Sequence, residues 1–227
     1  MKKAVLLLSG GLDSATLLYW ALKRRYQVFP LSFSYGQRHK KELQCARKLS
    51  RINSLDLKVI RIEFPWKGSS LLNNALPLPE MDRRDADSPI PSTYVPARNL
   101  IFLSFALSYA EAIDASTILI GANCIDFSGY PDCRPQFYRL ANRLFVIGTK
   151  AGVEGKPVKI VAPLLYLKKS EIVLLGKRLG VPYQFTWSCY AGGRKPCGKC
   201  DSCQIRKKGF DEAGFLDPLY QLSLIHI

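Results

Sequence analysis

Ser9-Gly10-Gly11-Leu12-Asp13-Ser14 follows an apolar run at residues 4–8 and precedes a helical pattern at 15–23. A strand, a glycine turn with polar side chains and a helix start, in that order, make an anion site. Gly10 and Gly11 carry no Cβ and tolerate positive φ, so several backbone N–H groups can face one anion. The helix opening near Ser14 adds unpaired N–H groups and the positive end of its dipole. The loop has no Gly-Lys-Ser/Thr, so no lysine within it reaches a terminal phosphate as in a Walker A loop. Asp13 suits a magnesium or water shell around pyrophosphate. The stretch expected to hold a nucleotide runs from Leu8 through these six residues to Ala15, Thr16, Leu17 and Leu18. The alternative is a glycine turn that only joins strand to helix.

Outward from this loop, apolar β-rich runs alternate with helical ones. Strands are expected at 3–8, 27–34, 57–62, 117–121 and 159–162, and helices at 14–25, 37–52, 98–113, 134–151 and 168–179. Such alternation implies an α/β fold with a doubly wound, mostly parallel five-stranded sheet. Strands apolar throughout, as at 4–8, suit a sheet covered on both faces. Ligands in these sheets collect at the carboxyl ends of the strands. The glycine loop, Tyr35-Gly36-Gln37 and Gly121-Ala122-Asn123 all fall on that edge. Residues 63–93 break the pattern with prolines at 65, 77, 79, 89 and 91, and are expected to form a lid over ATP. The chain divides into a nucleotide domain at 1–184, a cysteine-bearing extension at 185–220 and a tail at 221–227 of no assignable role.

The chain has 227 residues, 48% of them apolar, enough for one core with a small appendage. Met1-Lys2-Lys3 before a short apolar run imitates a signal peptide, but the run ends in Ser-Gly-Gly. No stretch approaches the ~20 apolar residues of a membrane span. A cytoplasmic protein without a membrane partner is expected. The net charge of +15 gathers at Lys23-Arg24-Arg25, at 38–51 and at Arg206-Lys207-Lys208. It favours ATP and acidic substrates and leaves RNA open; a solvated surface explains it equally.

Four of the seven cysteines fall in Cys189-x7-Cys197-x2-Cys200-x2-Cys203. The x2 spacings let consecutive thiolates turn toward one ion, with Gly198 permitting the tight turn. Four sulfurs complete a tetrahedral shell, so one structural Zn²⁺ per chain is expected, with an iron–sulfur cluster as the rival. Cys45 lies in a helical pattern and reads as packing, whereas Cys124 and Cys133 lie near the expected site.

Residues 121–137 are dense in hydrogen-bonding and aromatic side chains. An aspartate there can accept two parallel bonds from adjacent N–H donors of a guanine-like ring, and Tyr130 or Phe137 can stack on it. Equally, Asp132 can cap the helix starting near Arg134. Val95-Pro96-Ala97-Arg98-Asn99 opens another helix, where Arg98 can clamp a phosphate or carboxylate, or merely finish the local surface.

The Ser9–Ser14 residues match the S-G-G-x-D-S signature of the PP-loop ATP pyrophosphatases, which split ATP between the α and β phosphates. Together with Val95-Pro-Ala-Arg-Asn99, Gly129-Tyr-Pro-Asp-Cys-Arg134 and Thr186-Trp-Ser-Cys189 with its trailing cysteines, they resemble the 7-cyano-7-deazaguanine synthase family of queuosine biosynthesis. The resemblance covers roughly residues 3–218. It implies an ATP-dependent carbon–nitrogen ligase joining 7-carboxy-7-deazaguanine and ammonia, through adenylated acid and amide, to the nitrile preQ0, with AMP and pyrophosphate released. It also implies Mg²⁺ with the ATP and a homodimer, and requires no nucleic acid. The implied catalytic groups are Asp13, Ser14, Arg98 and Lys169. Asp132 leads the implied substrate contacts, followed by Asn123, Asp126, Tyr130 and Arg134. His39 and His226 are the only histidines, which argues against a Cys–His glutaminase and leaves free ammonia as the nitrogen source. The competing expectation is a PP-loop enzyme that thiolates tRNA.

Overall fold

A computed structural model describes residues 1–38, 40–66, 68–79, 90–125 and 129–221. His39, Asp126, His226, the middle of the proposed lid and the tail from 222 lie outside the described residues.

The strands β1 (Lys3–Leu7), β2 (Gln27–Ser34), β3 (Lys58–Arg61), β4 (Thr117–Leu119) and β5 (Lys159–Val161) form one sheet in the order β3-β2-β1-β4-β5. Every pairing is parallel, with Val5 opposite Phe29 on one side and Ile118 on the other. Successive side chains of a strand point to opposite faces, and β1 feeds two separate cores. Val5 packs with Leu103, Ala106 and Ile118, while Ala4 and Leu6 pack with Leu17, Leu18, Leu49 and Ile172. An unbroken apolar run is the sequence consequence of that central, twice-covered position.

The helices are α1 (Leu12–Lys23), α2 (Lys41–Ile52), α3 (Arg98–Ala112), α4 (Pro135–Gly148), α5 (Lys150–Val153), α6 (Lys169–Leu179), α7 (Asp201–Glu212) and α8 (Pro218–Gln221). Among the described residues, none is long and apolar enough to cross a membrane. Helix α2 starts later than the expected residue 37 because the Gln37 side chain accepts from Tyr35 N–H at 2.7 Å and donates to the Phe33 carbonyl at 3.2 Å. The expected helix at 134–151 splits at Thr149, whose hydroxyl accepts from Gly152 N–H at 3.0 Å and caps α5.

Helix α7 was not expected, and it corrects one reading of the charge. Arg206, counted with a basic surface run, is buried at 2% exposure, whereas Lys207 and Lys208 are exposed and pair with Asp211 and Glu212 one turn on. One face of α7 packs against α6, which carries Arg206 inward.

The described flanks of the proline-rich segment also pack inward. Phe64, Leu71 and Val95 join the β1–α3 core, and Ser70 N–H donates to the Ser92 carbonyl at 2.9 Å.

Strand order runs one way from β1 to β3 and the other way from β4 to β5, so the crevice at the ends of β1 and β4 is the switch point of the sheet. The loop 8–14 leaves β1 there. Gly121, just beyond β4, lies so close that a Cβ on it would sit 3.2 Å from Ser14 N. Gly10 has φ +91°, and its Cβ would fall 2.1 Å from the Glu42 carbonyl oxygen. Gly10→Ala is therefore expected to destabilise the fold by about 3 kcal/mol or more, from left-handed strain and overpacking together. The check is a lower urea midpoint at unchanged slope.

Candidate functional site

A cleft of about 330 Å³ opens at that switch point. Its floor is the loop. Gly11 is the N-cap of α1, and Ala15 N–H closes the first helical bond onto the Gly11 carbonyl at 3.0 Å. The N–H groups of Leu12, Asp13 and Ser14 precede that bond and lack a carbonyl one turn earlier. The loop's own side chains hold its shape: Ser9 Oγ accepts from Gly11 N–H at 3.1 Å and lies 3.0 Å from Ser14 Oγ. Ser14 Oγ accepts from Gly10 N–H at 3.2 Å.

Lys169, the first residue of α6, donates to both carboxylate oxygens of Asp13 at 2.7 and 2.8 Å. Its stem crosses α7 at Gly209, where a Cβ would lie 2.4 Å from Lys169 Cγ. A glycine in the middle of a helix is thereby explained: it makes room for the site lysine. Lys169 and Asp13 compensate each other, and an incoming phosphate would compete for the ammonium.

Arg98 occupies the opposite wall. The N-cap of α3, Ala97, takes φ +53°, and Ala97 N–H donates to Tyr94 OH at 3.0 Å. Arg98 Nη1 donates to Tyr35 OH at 3.2 Å, and its guanidinium carbon lies 5.8–6.0 Å from the rings of Tyr35, Phe102 and Tyr130. Among the described residues, no carboxylate lies within ion-pair distance of it. Burial works against its charge, but Tyr35, Tyr130 and Cys133 around it outweigh that and hold its pKa above the ordinary value. Burial likewise raises the Tyr35 and Tyr130 hydroxyls, with Arg98 pulling them back. A cation ringed by aromatic faces and open to the cleft is suited to an anionic ligand.

The other expected contacts divide. Tyr130 lines the cleft and donates to Thr93 Oγ1 at 2.7 Å. Asn123 lines it too, its amide tied to the Leu164 and Leu167 carbonyls. Asp132 is buried behind the wall, where Oδ2 accepts from Asn99 N–H at 3.0 Å in the first turn of α3. Desolvation raises its carboxyl, and that bond draws it back. Asp132 thus caps α3, the helix that carries Arg98, rather than α4. Arg134 is exposed at the start of α4 and does not line the cleft. Within the nucleotide stretch, Gly10 and residues 15–18 stand behind the surface, and Thr16 Oγ1 lies 2.8 Å from Tyr183 OH. Of the lone cysteines, Cys133 lines the cleft and accepts from Asn99 Nδ2 at 3.3 Å, whereas Cys124 Sγ is bonded to the Leu165 carbonyl. Cys45 is half-buried beside Trp187, and burial pushes its thiol up to about 11.

The sulfur atoms of Cys189, Cys197, Cys200 and Cys203 all lie within 4.8 Å of one another, with Cys197 and Cys203 at 4.0 Å. A tetrahedral ion with metal–sulfur bonds of about 2.3 Å has an edge of about 3.8 Å, so the set fits a single metal ion. Cys197 N–H and Cys200 N–H donate to Cys189 Sγ and Cys197 Sγ at 3.3 and 3.4 Å, as they would to thiolates. Without a cation one charge suppresses the next: thiol donors lower Cys189, and Cys189 in turn raises Cys200.

A family profile described as Queuosine biosynthesis protein QueC matches residues 3–214. The chain belongs to the QueC family. It is 53% identical over 219 residues to the 7-cyano-7-deazaguanine synthase of Picrophilus torridus, covering 96% of this chain and 91% of that protein. To the 7-cyano-7-deazaguanine synthase of Trichodesmium erythraeum it is 50% identical over 220 residues, covering 96% and 99%. NMN synthetase from Francisella tularensis superposes with a TM-score of 0.50 at 17% identity, over 99% of this chain and 83% of that one, a likeness of fold alone.

In this QueC-family chain, Glu42, Phe102 and Tyr190 line the cleft without having been singled out in the sequence, beside Ser188 of the Thr186–Cys189 stretch. Glu42 and Phe102 sat inside helical patterns, and Tyr190 follows a cysteine that drew the eye first. The metal site yields a direct check. Cys200→Ser is expected to lower bound metal well below one ion per chain and to lower Tm, because the N-cap of α7 loses its anchor. Metal analysis beside calorimetry reads both.

Proposed function

We propose that the chain makes 7-cyano-7-deazaguanine from 7-carboxy-7-deazaguanine, ammonia and ATP, releasing AMP and pyrophosphate. Family membership supports the product, and one observation supports the chemistry: the loop N–H groups and the aromatic-ringed Arg98 face the same cleft. The carboxylate oxygen is a poor leaving group. Its attack on the α phosphorus makes an acyl adenylate and expels pyrophosphate, and ammonia then displaces AMP to give the amide. The amide oxygen attacks the α phosphorus of a second ATP and expels a second pyrophosphate, and loss of AMP with two protons leaves the nitrile.

The chain's residues would position and stabilise charge. The N–H groups of Leu12, Asp13 and Ser14 would hold the departing pyrophosphate, with Ser14 Oγ shaping the loop. Lys169 would move from Asp13 to phosphate. Arg98 would hold the substrate carboxylate or the α phosphate, and Tyr130 would stack on the deazaguanine. Mg²⁺, entering with ATP, would be held by Asp13 and would draw charge from the phosphates. Asp132 would serve by fixing α3.

Zn²⁺ is the ion we assign to the four cysteines, since a multi-iron cluster needs wider spacing than these sulfurs provide. In that arrangement 185–220 is a zinc-held extension seated on the 1–184 domain. Reduced cysteines and ATP suit a cytoplasmic setting.

Mass spectrometry of a reaction with ATP, ammonium and the carboxylic acid is expected to show the nitrile with about two AMP per turnover. Arg98→Met should lower kcat/KM about 100-fold, the loss of a charged hydrogen bond inside a cleft. AMP release supported by tRNA and never by the free base would favour the thiolation reading, for which the net charge of +15 speaks.

A homodimer is part of the proposal. Leu140, Leu144 and Ile147 are 63%, 53% and 75% exposed along one stripe of α4. Leu144→Glu is expected to halve the mass seen by light scattering while leaving the far-UV circular dichroism spectrum unchanged.

A further inference from the structure

We infer that Arg206 is a positioning residue for the phosphate loop, acting through the segment 183–188. The inference rests on the proposed binding of ATP at that loop.

Arg206 lies on α7 one turn after Cys203, and its guanidinium is saturated. Nε and Nη2 donate to the two carboxylate oxygens of Asp217 at 2.6 and 2.8 Å. Nη1 donates to Thr186 Oγ1 at 2.8 Å and Ser188 Oγ at 3.3 Å, and Nη2 to the Tyr183 carbonyl at 3.3 Å. Both partners are buried, at 2% and 6% exposure. A buried ion pair is poor evidence of net stabilisation, because desolvation offsets the attraction. What this one does have is position.

The two hydroxyls that Arg206 holds flank Trp187, whose backbone N–H donates to the Gly10 carbonyl at 3.0 Å. The indole N–H donates to the Cys189 carbonyl at 2.8 Å, which joins the same segment to the metal site. The peptide unit is planar, so fixing the Gly10 carbonyl also fixes the direction of Gly11 N–H. Ser9 Oγ, accepting from Gly11 N–H at 3.1 Å, braces the same unit at its other end, and neither glycine has a side chain to restrict it further. Helix α7 thus sets the loop twice, through Arg206 and the segment 183–188, and through Gly209 beneath Lys169. Loss of the guanidinium's reach would leave the loop present but loosely oriented.

The test compares Arg206→Lys, Thr186→Val and Thr186→Ser with the unaltered metal-loaded protein. Lysine keeps the charge beside Asp217 but cannot bridge to the segment as a planar fork does. Valine keeps the shape of Thr186 without its hydroxyl, and serine restores the hydroxyl. Mg-ATP is titrated calorimetrically without the carboxylic acid or ammonia, and KM, kcat, metal content and Tm are measured beside it. Arg206→Lys and Thr186→Val are each expected to weaken ATP about tenfold, the value of one hydrogen bond. KM for ATP should rise in step, with metal content and kcat at saturation close to unaltered, and Thr186→Ser should bind as the unaltered protein does. ATP binding unchanged in Thr186→Val, whatever happens to Tm, would overturn the inference. Should Arg206→Lys fail to fold, the Thr186 pair decides alone. Failure of the unaltered protein to bind Mg-ATP would overturn the proposed function itself, and this inference with it.

Discussion

The architecture of the cleft depends on backbone packed against backbone at the glycine loop. Gly10 lies under the Glu42 carbonyl of α2, Gly121 presses on Ser14 from β4, and Trp187 N–H holds the Gly10 carbonyl from the cysteine-bearing side. A Cβ would collide with backbone at Gly10 and crowd it at Gly121, and the Trp187 contact is made by main chain alone. Three distant parts of the sequence therefore meet at one short loop, and that loop presents N–H groups that α1 cannot satisfy. The parallel sheet supplies the setting, since its switch point opens the crevice in which the loop lies.

Charge is distributed around this point with little waste. Lys169 is compensated by Asp13, and Arg206 by Asp217. Among the described residues, Arg98 is surrounded by rings and hydroxyls, with no carboxylate at ion-pair distance. It is thus a cation of the cleft without a carboxylate partner among those residues, whereas Lys169 and Arg206 each have one. Total charge alone conceals this, because it counts a buried tie and an open binding group alike.

The sheet was legible in the sequence because each strand is an apolar run bounded by turn residues, and because β1, buried on both faces, shows no alternation. The glycine loop and the four cysteines were legible because backbone approach and metal coordination restrict residue type at fixed spacing. Helix α7 escaped for the converse reason. Its residues include a glycine, one of the four clustered cysteines and a row of charges, so no broad apolar stripe marks it. Beside Cys203 and Phe210, its inward groups include Arg206 and Gly209, whose fit to Asp217 and Lys169 is visible only in three dimensions. Asp132 illustrates the same limit: a carboxylate near a helix start was plain, but which helix it caps depends on how α3 and α4 meet.

The central claim is that an acceptor oxygen attacks the α phosphorus while the loop N–H groups hold the departing pyrophosphate. Substrate labelled with ¹⁸O in its carboxylate tests this most directly. The account predicts that one labelled oxygen appears in the phosphate of AMP, with unlabelled pyrophosphate. Label recovered in orthophosphate, with ADP as the other product, would contradict it.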